Sequence, residues 1–516
     1  MYKISIHLLT ISFHTQKLPY ICSIQHGYMC DKTANYTINK RAMNSHIPNI
    51  KLFFAATWTC LSSISLSFAD IRLPHLLGNN MVLQRDTQVK FWGWADPGER
   101  VRVTTSWNGK TDSIIASDDG RWELRMATPR AGGPYAILFR GKNTIELTNV
   151  LIGEVWICSG QSNMAMNGTS GLTDIKQELP RADRNDIRLF KIPRTSTPDR
   201  QDDCQANWTV CDSVTLNTFS AVGYFFGKRL ADTLGVPIGL IEAAWGGTSA
   251  EVWTPAHAIS KSPLLKNNAE KITPSDHWPT KPGLAFNGMI APLTPFKIAG
   301  TIWYQGENNV GPYSSDYDSL LTTLIHTWRS EWQHDFPFYM VQIAPYRYPV
   351  PFSAALLREA QTNVLSLPNT AMVLTTDLVA DTTDVHPTNK RDVGMRLANV
   401  ALAQHYRLQR IVHQHPIYKR VSIDQDSIFV AFDHAENGLT IVNPGEHHFL
   451  IAGKDRVFHK AQVKVQGNVL VFWNAGIKNP VAVRYGFDNT ATASLFNKAG
   501  MPAIPFRTDR WPVDRQ

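Results

Sequence analysis

Apolar and polar positions change rhythm twice along the chain. Between residues 70 and 150 they alternate in short runs broken by turn residues. "QVKFWGWADPGERVRVTTSWNGK" reads as strand, Asp-Pro-Gly turn, strand and Asn-Gly turn, and "SDDGRWELRM" and "RAGGPYAILFRGKNTIELTNVLIG" keep the same beat. Period-two alternation with turns at this spacing predicts a small all-β sandwich. From 151 to 410, apolar runs of four to six residues alternate with helical periodicity. "EVWIC", "VPIGLIEAAWGG", "IAGTIWYQGENN", "FPFYMVQIAP" and "TAMVLTTD" read as strands, while "FSAVGYFFGKRLADTLG", "YDSLLTTLIHTWRSEW" and "DVGMRLANVALAQHY" read as amphipathic helices. Such alternation predicts an α/β domain built on a parallel sheet with helices on its faces, and ligands bind at the carboxyl ends of such strands. From 411 to 516 the pattern is β-rich again, predicting a second all-β domain with its own or a shared core.

The first 69 residues stand apart. "KLFFAATWTCLSSISLSFAD" carries a basic flank at Lys51, an apolar stretch from Leu52 to Leu66 and a small-x-small site at Ser67-Phe68-Ala69, the pattern of a secretory signal cut near Ala69. Residues 1–42 then read as an upstream extension, and the expected location is periplasmic or secreted. An N-terminal membrane anchor and a lipoprotein built on Cys60 are the competing readings, and no other segment is apolar enough to span a bilayer. The same segment explains the charge. The chain of 516 residues has a net charge of +8, but residues 1–69 hold six Lys/Arg and one acid, leaving 45 basic against 42 acidic side chains, a net of +3. A nucleic-acid partner therefore loses its support. Three of the six cysteines follow residue 70: Cys158 lies in an apolar run, and Cys204 and Cys211 either pair in an oxidising compartment or stay free.

Phosphate loops, G-x-G-x-x-G, H-E-x-x-H and C-x-x-C are absent, which argues against a nucleotide or metal enzyme, so no metal or cofactor is expected. Serine chemistry is the alternative. A hydroxyl nucleophile needs a base, a group that orients the base, and donors for the oxyanion. In "EVWICSGQSNMAM" a strand ends in Gly160, and Ser162 is placed to open a helix, whereas Ser159 reads as turn and Cys158 as core. Ser162 is either a nucleophile or part of a polar turn. His386 in "TTDVHPTNK" stands in a polar loop before a helix, with Asp384 two residues earlier and Asp381 and Asp377 as substitutes for orienting it. "AAWGGTSAEVW" puts Gly246 and Gly247 at a strand end, and "WYQGENN" puts Gln305, Glu307, Asn308 and Asn309 at another. Trp245, Trp253, Trp278 and Trp303 are either sugar platforms or core.

"GEVWICSGQSNM", "AAWGGTSAEVW", "NGMIAPLTPFKIAGTIWYQGENN" and "DVHPTNKRDVGMRLA" together resemble the sialate O-acetylesterase family of the SGNH hydrolases, in the family's order across residues 71–512. The resemblance implies a flavodoxin-like parallel sheet and metal-free removal of O-acetyl groups from sugars, classically sialic acid. Carried over by motif, it implies Ser162 as nucleophile and His386 as general base. Gly247, Asn309 and Gln305 would serve the oxyanion hole. Acids in this superfamily commonly stand three residues before the His, where this chain has Thr383, so Asp384 or a backbone carbonyl takes that part. The expected partner is an O-acetylated sugar or glycan. Competing functions are an acetylxylan or other plant-glycan acetylesterase of the same fold, a non-catalytic glycan-binding protein and a lipid esterase.

Overall fold

A computed structural model describes residues 70–442 and 448–513; the expected signal segment lies outside the described residues. Seven strands come first: β1 (Val82–Gln84), β2 (Gln88–Trp94), β3 (Arg100–Thr105), β4 (Thr111–Ile115), β5 (Arg121–Ala127), β6 (Gly132–Arg140) and β7 (Thr144–Gly160). β2 pairs antiparallel with β5, while β3 lies between β4 and β6, and β6 pairs with β7. Alternate residues Val89, Phe91, Val101, Val103, Ile137 and Phe139 point inward and are fully or almost fully buried, as the period-two reading requires.

β7 is 17 residues long and changes character along its length. Its first residues alternate between exposed and buried, as in a strand with one wet face. From Val150 to Gly160 every residue is buried, the pattern of a parallel strand covered on both sides. The boundary expected between residues 150 and 151 thus falls inside one continuous strand. Ser159, read from sequence as turn, belongs to this strand, and its hydroxyl donates to the Ala243 carbonyl at 2.7 Å.

The second half of β7 lies in the α/β sheet with β8 (Arg184–Lys191), β9 (Trp208–Cys211), β10 (Ile238–Ala244), β11 (Gly300–Tyr304), β12 (Phe338–Val341) and β13 (Thr370–Val373). The order across the sheet is β13-β12-β11-β7-β10-β8-β9, parallel except for β9 at the edge. Leaving out β8 and β9, the five strands run 2-1-3-4-5, a doubly wound order whose chain reverses direction across the sheet at β7 and β11. A short α1 (Ser162–Ala165) follows β7; longer helices are α2 (Ala221–Leu234), α3 (Tyr317–Trp332), α4 (Ser353–Asn363) and α5 (Lys390–Val400). Val155 and Ile157 of β7 pack on the side of α3 and α4, whereas Trp156 and Cys158 pack on the side of α2 and α5. Both faces are therefore helix-covered. α2 begins where the Ser220 hydroxyl accepts the Gly223 N–H at 3.0 Å and stops at Gly235, whose φ of +63° suits glycine.

The strands between Ile417 and Arg507 enclose a separate core that includes Ile428, Phe449, Phe472 and Tyr485. This domain is fastened to α4, where Arg507 grips Glu359 at 2.7 and 2.8 Å. Cys158, Cys204 and Cys211 are free and buried, which decides between the two sequence readings for the latter pair. Among the described residues no helix is long and apolar enough to cross a membrane.

Candidate active site

Four loops leave the carboxyl ends of β7, β10, β11 and β13 and meet above the switch point. Gly160 closes β7 at φ +136°, and a Cβ there would lie 2.1 Å from the Tyr304 carbonyl of β11. Only glycine fits so tight a crossing. Gln161 follows, its N–H donating to that carbonyl at 3.0 Å, and Ser162 becomes the first residue of α1. N–H groups in a first helical turn have no intrahelical acceptor, which leaves them available to an anionic oxygen.

Ser162 Oγ lies 2.9 Å from His386 Nε2, although the two are 224 residues apart. At that distance the hydroxyl donates to an unprotonated imidazole nitrogen. Burial, followed by the nearby charge of Lys390, holds His386 below its ordinary pKa of 6.5, against the opposing pull of Asp384. The ring is thus kept neutral, the form a general base needs.

Asp384 is not hydrogen-bonded to this ring. Its Oδ1 lies 3.7 Å from Nδ1, with the carboxylate side chain 56% exposed, where solvent leaves an ion pair little strength. The same Oδ1 instead accepts the His386 backbone N–H at 2.8 Å. The two substitutes are engaged elsewhere: Asp381 accepts from Thr383 at 2.7 Å, and Asp377 binds Arg396 at 2.7 and 2.5 Å.

Gly246 packs beside the serine, and Gly247 follows it. A Cβ on Gly246 would sit 3.3 Å from Ser162 Cβ, and one on Gly247 would sit 2.4 Å from the Trp278 ring. Gly247 has φ +81°, and its N–H has no backbone acceptor among the described residues. Asn309 accepts from Ala250 N–H at 3.0 Å and directs one Nδ2 hydrogen to Glu251 at 3.0 Å, leaving the other for a ligand.

Gln305 differs from the sequence expectation. It is fully buried, and its Nε2 faces Gln161 Oε1 at 3.1 Å, the Thr248 carbonyl at 3.2 Å and Asn309 Oδ1 at 2.7 Å, with Tyr317 donating to its Oε1 at 2.7 Å. With both amide hydrogens occupied, Gln305 braces three loops and has none to offer an oxyanion. Sequence reasoning also missed Gln161, whose Oε1 accepts from the N–H of Asn308 at 3.2 Å, and the buried pair Asn163 and Lys390, described below.

A cleft of ≈ 630 Å³ opens beside Gly247, lined by residues including Glu251, Lys271, Trp278, Asn309 and Tyr313. Of the four tryptophans singled out from sequence, Trp253 and Trp303 are fully buried core residues. Trp278 is half-buried and forms a wall of this cleft. The arrangement sets a hydroxyl hydrogen-bonded to an imidazole near backbone and amide N–H groups that lack protein acceptors, with an aromatic-walled cleft alongside.

Comparison with known proteins identifies the family. A family model described as carbohydrate esterase, sialic acid-specific acetylesterase, matches residues 152–403. The sialate O-acetylesterase of Homo sapiens is 28% identical over 395 residues, spanning 68% of this chain and 74% of the human protein. That of Mus musculus is 28% identical over 414 residues, spanning 68% and 76%. The crystal structure of a carbohydrate acetylesterase from Xanthomonas citri superposes with a TM-score of 0.78 at 34% identity, covering 86% of this chain and all of that one. The chain belongs to the sialic acid-specific acetylesterase family of carbohydrate esterases.

Proposed function

We propose that this protein is an exported, metal-independent SGNH-type serine esterase that removes O-acetyl groups from sialic acids or related glycans. The observation that carries the reading is the 2.9 Å approach of Ser162 Oγ to His386 Nε2 at the carboxyl ends of the parallel strands. His386 takes the Ser162 proton as Oγ attacks the acetyl carbonyl. The developing oxyanion is held by the N–H groups of Ser162 and Gly247 and the free Nδ2 hydrogen of Asn309. His386 then gives that proton to the departing sugar oxygen, which leaves as a hydroxyl, and water, activated by the same ring, releases acetate from the acyl-enzyme. Asp384 serves this chemistry through the His386 backbone, and Gln305 serves it by bracing the donor loops.

The Xanthomonas citri relative, 34% identical, is described as a carbohydrate acetylesterase, which keeps acetylxylan or another acetylated glycan as a second substrate reading within the same chemistry. Acetate release from acetylated sialic acids, xylan and pectin separates the two. Export rests on the basic, apolar and small-x-small order of residues 51–69. The mechanism itself is tested by Ser162→Ala, which should lower acetate release on the order of 10⁶-fold with the thermal melt kept; turnover within tenfold of the parent would overturn it.

A further inference from the structure

His386 works without a carboxylate on its second nitrogen, so something else must hold the ring in line. We propose that Asn163, itself fixed by Lys390 and Glu307, positions the general base by gripping the peptide that leads into His386. The inference rests on the Ser162–His386 reading above.

That peptide is held at both ends. Its carbonyl, on Val385, accepts from Asn163 Nδ2 at 3.1 Å, and its N–H, on His386, donates to Asp384 Oδ1 at 2.8 Å. Pro387 follows and confines His386 to extended backbone. Asn163 is the residue after the nucleophile, so one side chain ties the start of α1 to the main chain of the base. Asn163 thereby couples the position of Ser162 to that of His386.

The Asn163 amide can turn over about its last bond, and its neighbours decide which way it points. Lys390 Nζ, a pure donor as its ammonium, lies 2.6 Å from Oδ1; Glu307 Oε1 lies 2.5 Å from Nδ2. Reversing the amide would set the ammonium against two N–H donors. Asn163 and Lys390 are fully buried and Glu307 is 8% exposed, so water cannot substitute for either partner. Lys390 is an unusual choice for such a place. Burial pushes its ammonium down to about 7, opposed by the carboxylates of Glu307, Asp174 and Asp384. The face of Tyr304 lies 5.3 Å from Nζ. Burial in turn pushes the Glu307 carboxyl up, eased by Asn163 and Lys390. Two costly buried groups flank one amide, and holding that amide is the service the geometry shows.

Lys390→Met and Asn163→Asp test this. The first removes the donor to Oδ1 while keeping a long side chain; the second keeps the shape but removes the donors to Val385 and Glu307. Turnover of p-nitrophenyl acetate and an acetylated sugar, the pH profile, the melting temperature and the rate of fluorophosphonate labelling are measured for both. Displacing a reacting group by about 1 Å costs on the order of 10²-fold. Each variant should therefore lose roughly that in kcat and labelling rate, with KM within about threefold. In Lys390→Met the acidic limb should also move to higher pH, because the lost charge is one that holds His386 down. Folded variants that label and turn over at the parental rate overturn the proposal. So does a loss confined to KM, or a loss that only follows a fall in melting temperature with the pH limb unmoved. Should Lys390→Met fail to fold, Asn163→Asp decides on kcat and labelling. Ser162→Ala is run alongside: if it retains turnover, the Ser–His reading fails; if it is dead while both variants behave as the parent, only the positioning role fails.

Discussion

Gly247→Ala gives the sharpest check on the oxyanion donors, because the structure separates its effect on folding from its effect on chemistry. An alanine at φ +81° carries the left-handed penalty of about 1–2 kcal/mol. Its methyl group would also lie 2.4–2.8 Å from three atoms of the Trp278 ring, closer than carbon atoms can approach. Trp278 is half-buried beside a cleft, so its loop can give way and the stability loss should stay near the backbone term. For a chain of this size that is a melting shift of no more than about 4 °C. The N–H survives the substitution but not its position, whether the peptide rotates or the ring retreats. Removing an oxyanion donor costs about 10²–10³ in turnover, or 2.7–4 kcal/mol. A displaced donor should cost about 10². The assay is kcat and KM for p-nitrophenyl acetate beside a calorimetric melt. Gly247→Ala combined with Trp278→Ala should recover part of the rate by relieving the collision. A single variant within twofold of the parental kcat would refute the assignment of Gly247 as a donor.

The remaining predictions concern protonation and processing. Since burial and Lys390 hold His386 below 6.5, and only the neutral ring accepts the serine proton, the acidic limb of kcat/KM should have its midpoint below pH 6.5; a midpoint above that value contradicts the electrostatic account. Asp384→Asn removes a charge that raises the His386 pKa, so the same limb should move further toward acid, whereas a shift toward alkali would show that the carboxylate acts otherwise. Export predicts that N-terminal sequencing of the secreted form begins at Asp70, and a start well before that residue would remove the signal reading.

Elements governed by local pattern were legible in the chain. The helix read in "YDSLLTTLIHTWRSEW" is α3, Tyr317–Trp332, and the apolar runs after Val236, Ile298 and Phe336 became β10, β11 and β12. Ser162 and His386 were nominated by their loops and by family motifs, and their 2.9 Å meeting needed the fold. Partners created by tertiary packing left no local trace. A lysine at the first position of α5 ordinarily faces water, yet Lys390 is enclosed because the loops after β7 and β11 close over it. Gln305 looked like a donor at a strand end, but its amide points down into Gln161, Thr248 and Asn309. Ser159 looked like turn because serine and glycine adjoin, whereas β10 and β11 extend the sheet through Gly160 and keep both residues in strand.

β7 has one further consequence. The strand that delivers Ser162 is registered at its other end by β6, from Arg140 opposite Thr144 to Gly132 opposite Ile152. No linker lies between those pairings and Ser162. The sandwich therefore acts as the fixed end of a cantilever whose tip is the Ser162 hydroxyl. Its sequence thus bears on where Ser162 sits although none of its side chains lines the cleft beside Gly247, and a chain cut at residue 150 would lose the frame against which that tip is aimed.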